Sequence, residues 1–134
     1  MREEPSGAAL LHAATTLIRE DLLAALPDDK RHSALMIANA MSIAMRQLEY
    51  GGVPEEGELA ALRELLGIGA GDGGAGTPMR GMLASLNRQL AQRIRGGQAD
   101  PGAPLHAAVL AHLRSTARQR LLESSPKTLK VRTT

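Results

Sequence analysis

The chain has 134 residues, a net charge of +2, 1% aromatic residues and no cysteine. That length suits one domain with a real core and excludes two independent ones. The lack of cysteine excludes disulfides, thiolate metal sites and a cysteine nucleophile. With no Phe or Trp and a single Tyr50, the core must come from Leu, Ala, Met and a few Ile, a composition that favours helices over sheets.

In chain order, punctuation and apolar spacing predict five helices. Ser6 after Pro5 caps the first, in which Leu11, Ala14, Ile18, Leu22 and Ala25 repeat at helical spacing until Pro27. Asp28 or Asp29 caps the second, which runs over about 28–50 to Gly51-Gly52. Pro54 opens the third, with Glu55, Glu56 and Glu58 placed to favour the positive end of its dipole, and Gly67 ends it. Thr77-Pro78 opens the fourth, whose stripe is Met82, Leu83, Leu86, Leu90 and Ile94. Asp100-Pro101 or Pro104 opens the fifth, with Leu105, Val109, Leu110, Leu113, Ala117 and Leu121 as its inner face.

The second helix is apolar on nearly every side, so it is expected at the centre of a single up-and-down all-α bundle over residues 1–126. Residues 67–77, GIGAGDGGAGT, read as a flexible linker, and 127–134, KTLKVRTT without the helical period, as a mobile basic tail. The N-terminus has acids in its first turn and a broken apolar run, unlike a signal peptide, and no stretch reaches the roughly 20 apolar residues of a membrane span. A soluble, cytoplasmic protein without membrane insertion is expected.

Motifs that could carry chemistry are sparse. Gly69, Gly71 and Gly74 match GxGxxG, but the run follows a helix where a dinucleotide fold needs a strand, and the lysine of a phosphate-binding loop is missing. His106 and His112 are six apart, which turns them about 240° from each other, so one helix cannot aim both at an ion. No serine stands in a GxSxG elbow or SxxK motif. No catalytic residue, metal or cofactor is assigned, and a non-catalytic protein is expected.

Charge is lopsided: residues 1–79 carry six Lys or Arg against twelve Asp or Glu, and residues 80–134 carry ten against two. Either acidic and basic helices face each other, or the basic half meets an anionic partner. Arg88, Gln92 and Arg95 share an outer face of the fourth helix, and Arg114 and Arg118 stand at i, i+4 on the fifth, a candidate anion-binding surface if they converge. Nucleic acid is a poor fit, because stacking aromatics and a recognition motif are missing.

A second feature is a polar seam in the second helix. His32, Asn39 and Arg46 fall seven residues apart, with Tyr50 continuing the line. Buried without a partner, Asn39 would cost about 1–3 kcal/mol, and it is the member most expected to be inside. The seam fits an internal network with another helix, a subunit or partner contact, or a ligand pocket.

The segments from Pro5 to Glu49, LNRQLAQRIRGG and LAHLRSTARQRLLESSPKTLK together resemble an uncharacterised family of small bacterial all-helical proteins. The resemblance rests on Pro5, His32, Asn39 and Arg46, then Asn87, Arg93 and Arg95, and finally His112, Leu113, Leu121 and Pro126. Members of that family tend to be encoded beside acyl-CoA dehydrogenases and aminoglycoside-phosphotransferase-like proteins. The chain departs from the family where Ser125-Pro126 leads to Lys127 instead of Asn-Pro and an aromatic. The resemblance implies no activity; it implies an accessory protein, working with such an enzyme as protein partner. A homo-oligomeric interaction protein is thus the expected function. The alternative is a small-molecule binder holding an anionic ligand, such as a coenzyme A thioester, on Arg88, Arg95, Arg114 and Arg118.

Overall fold

A computed structural model describes residues 4–69 and 78–130. Among these residues the chain is all-helical, with no strand. The five helices of 11 to 23 residues are the five expected: α1 (Gly7–Leu17), α3 (Asp28–Tyr50), α4 (Val53–Leu66), α5 (Met79–Arg95) and α6 (His106–Ser124). A single turn, α2 (Leu23–Ala25), and a short terminal helix, α7 (Pro126–Lys130), complete the set. They group into two compact units, one up to Gly51 and one from Gly52 onward.

In the first unit α1 packs against α3. Ser6 caps α1 as its sequence requires, its Oγ accepting from the Ala9 amide at 3.2 Å. The helix then widens into one π-turn, Ile18–Leu22. A π-turn accommodates one extra residue, so the inner face shifts by one position. Leu11, Ala14 and Ile18 are half-buried as expected, but beyond the turn Leu23 and Leu26 take the places expected for Leu22 and Ala25, which are exposed. The N-cap of α3 is Pro27, not an aspartate; Asp28 and Asp29 lie inside the first turn, where Asp28 pairs with Arg31 at 2.9 Å.

The second unit holds the core. Leu59, Leu62 and Leu66 of α4, Leu83, Leu86 and Leu90 of α5, and Val109 of α6 form one buried cluster, and both α5 and α6 include residues packed against α4's side. This corrects the expectation of a core built round the 28–50 helix: of the residues of α3 only Ala38 is buried. The α4 terminus is a Schellman motif: Gly67 sits at φ 70°, its amide bonds to Glu64 O, and the Ile68 amide bonds to Arg63 O at 2.9 Å. Hence the first residues of the glycine run are a helix cap, and Ile68 packs on the core. The remainder of the expected linker, 70–77, with Gly71 and Gly74, lies outside the described residues.

Two further expectations for this unit change. The inner face of α6 is Leu105, Val109, His112 and Thr116, whereas Leu110, Leu113 and Ala117 are exposed. Residues 127–130 of the expected mobile tail are helical, and 131–134 lie outside the described residues. No helix among the described residues is long and apolar enough to cross a membrane.

Candidate functional site

The rotated face of α6 creates the site. Because Val109 is drawn into the core, the residues one and two turns on, His112 and Thr116, turn inward with it, and the polar second half of α6 faces the start of α4. The result is a cleft of about 710 Å³. Glu55 and Glu58 come from the acidic first turns of α4, Arg80 and Asn87 from α5, and His112, Ser115, Thr116, Gln119, Arg120 and Glu123 from α6. Gly57, Ala61 and Ala111 leave the space open by being small, and Leu83 supplies an apolar patch.

The polar groups of the cleft divide into committed and uncommitted ones. Each carboxylate has a partner: Asn87 Nδ2 donates to Glu58 Oε1 at 3.0 Å, Gln119 Nε2 donates to Glu123 Oε1 at 3.1 Å, and Arg80 Nε lies 3.5 Å from Glu55 Oε1. His112 is the buried polar residue of the unit, 9% exposed, and its ring makes no hydrogen bond among the described residues. By contrast His106 Nδ1 donates to the Ala99 carbonyl at 2.9 Å, a structural role. No hydrogen bond joins His112 to Ser115 or Thr116, so the cleft sets donors side by side and does not pair a nucleophile with a base. No group of three or more potential metal-ligating side chains forms among the described residues.

Arg88 and Arg95 stand on the exposed side of α5, roughly opposite Leu83, Leu86 and Leu90, and Arg114 and Arg118 on the exposed side of α6, roughly opposite Val109. None of the four lines the cleft; its arginines are Arg80 and Arg120. On α3, His32, Asn39 and Tyr50 are exposed and Arg46 is half-buried. Taking about 100° per residue, the four lie roughly 80–120° round the helix from Ala38, so the seam does share one flank. Asn39, expected inside, is outside because its neighbour Ala38 is the residue small enough for close helix contact. The sequence offered His112 as a rejected metal partner for His106 and as a residue carrying the family resemblance; the signal missed was His112, Thr116 and Arg120 at i, i+4, i+8.

Fold and cleft together define a small protein, all-helical among the described residues, with a polar groove in its second unit. Residues 24–128 match the family described as a domain of unknown function, DUF6285, and the chain belongs to that family. No curated protein and no solved structure matches it.

Proposed function

We propose that the protein is a non-catalytic accessory protein that self-associates and engages a protein partner through the helical hairpin up to Gly51. One observation carries this reading: the hairpin buries Ala38 alone, while Leu10, Leu17, Leu22, Leu35, Met36, Ile37 and Leu48 are each 43–56% exposed. Burying such a side chain fully is worth about 1.5–3 kcal/mol relative to leaving it in water, so covering several of them in a complex favours association. Two hairpins, one from each copy, would complete an up-and-down four-helix bundle, with the seam of His32, Asn39, Arg46 and Tyr50 setting register.

The chain's resemblance to a bacterial family whose members tend to be encoded beside acyl-CoA dehydrogenases and aminoglycoside-phosphotransferase-like proteins supports such an enzyme as the partner and a bacterial cytoplasm as the setting. Light scattering tests the self-association: the wild type is expected as an oligomer, and Met36→Glu with Ile37→Glu as a folded monomer. A monomeric wild type overturns it. A second reading, binding of a small anionic molecule, is supported by the cleft of the second unit in place of Arg88, Arg95, Arg114 and Arg118.

A further inference from the structure

We propose that the cleft between α4, α5 and α6 binds a phosphomonoester, its phosphoryl group held by His112, Ser115, Thr116 and Arg120. This deepens the small-molecule reading and rests on it. The first observation is His112: a ring that is 91% buried, lines a cavity and has no hydrogen-bond partner among the described residues keeps its donor for something that enters. Its ring nitrogens are not among the buried atoms left without a partner, so they open to the cleft, where an entering acceptor can take the place of water.

The second observation is what surrounds the ring. Ser115 and Thr116 line the same cavity, and their hydroxyls make no hydrogen bond among the described residues. Arg120 follows one turn beyond, and its guanidinium has no ion pair there. His112, Thr116 and Arg120 are successive members of one i, i+4 column, about 6 Å apart along the axis, and long side chains can converge from that spacing. Of the charged groups lining the cleft, Arg80 pairs with Glu55, Glu58 and Glu123 keep their charge while accepting from the neutral amides of Asn87 and Gln119, and Arg120 is the guanidinium without an ion pair among the described residues.

Ring N–H, two hydroxyls and a guanidinium suit a tetrahedral group with several acceptor oxygens better than a carboxylate, which has two. About 710 Å³ is more than a free inorganic ion fills, so the ligand has an organic part. That part is polar, because Asn87 and Gln119 flank it, and no aromatic residue lines the cleft on which a nucleobase could stack. A sugar phosphate meets these conditions.

NMR titration of the full-length protein tests this, with glucose 6-phosphate as probe and glucose, acetate and inorganic phosphate as comparisons at matched ionic strength. The expected result is saturable movement of the His112 ring and Thr116 amide signals by the sugar phosphate, weaker with inorganic phosphate and missing with glucose. Arg120→Ala and Thr116→Val should each weaken binding by about tenfold. Arg88→Ala with Arg95→Ala should leave it unchanged. If the sugar phosphate binds but binding follows Arg88 and Arg95 and ignores Arg120, the cleft assignment is wrong while the small-molecule reading stands. If neither it nor coenzyme A saturates any signal up to roughly 10 mM, both fall. Arg120 and Thr116 are chosen over His112 because neither is fully buried, so their variants retain the fold.

Discussion

Asn87 and Glu58 are 29 residues apart in sequence, yet Asn87 Nδ2 lies 3.0 Å from Glu58 Oε1, joining α5 to α4 on the wall of the cleft. A hydrogen bond to an ionised group contributes about 1.5–3 kcal/mol when desolvated and less when, as here, both partners are half-buried. Asn87→Ala should therefore lower unfolding stability by about 1 kcal/mol in urea titration. Asn87→Asp should cost more at neutral pH, because it sets a second carboxylate against the first. Equal losses from the two variants would show that charge plays no part at this contact.

Arg93 performs a related service nearly two turns further along α5. Its Nη2 donates to the Leu66 carbonyl at 2.9 Å, meeting one of the acceptors left open at the end of α4. Arg93→Met keeps the apolar stem and removes the donor, and should cost about 1–2 kcal/mol. Hydrogen exchange should quicken at the Gly67 and Ile68 amides, which close the same turn; unchanged exchange there would place the effect elsewhere.

Thr15 in α1 offers the opposite sign. Its Oγ1 is buried and has no hydrogen-bond partner among the described residues, although a helical threonine commonly bonds back to the preceding turn. Thr15→Val removes the stranded hydroxyl at nearly constant shape and helix propensity, and should stabilise the protein by about 1 kcal/mol. Thermal unfolding decides it: a lower midpoint in the variant means that the hydroxyl has a partner.

Two glycines of the α4 segment, one inside the helix and one at its C-cap, should respond in opposite directions. A Cβ on Gly57, in the helix interior, meets nothing within 4 Å, so Gly57→Ala should gain about 0.5–1 kcal/mol. Gly67 has φ +70°, a conformation that side chains disfavour, and Gly67→Ala should lose about 1 kcal/mol despite equally open space. The pair, measured together, separates backbone conformation from packing.

Helix ends were legible because single residues enforce them. Ser6 supplies a hydroxyl to a free amide, Pro27 and Pro78 precede helices as their fixed φ permits, and Gly51 and Gly67 adopt the positive φ that stops them. Helix faces were less legible. In α6 two apolar stripes overlap, Leu105 to Val109 and Leu110 to Leu113, and which one turns inward is settled by contact with α4, which periodicity does not encode. Counting both stripes as one inner face left His112 out of it and hid the cleft. On α3 the seam was legible as a shared flank, but burial of Asn39 was not, because Ala38 beside it permits the closer approach.

The π-turn at Ile18–Leu22 makes length itself part of the design of the first unit. In an ordinary helix each residue advances the azimuth by about 100°. One residue held in the wider turn therefore acts as a phase correction: it lets the pattern before residue 18 and the pattern after residue 22 run out of step in sequence while staying aligned in space. A related chain one residue shorter there would need its leucines at Leu22 and Ala25 of this numbering to present the same surface, so family members compared by position alone would seem to disagree where their geometry agrees.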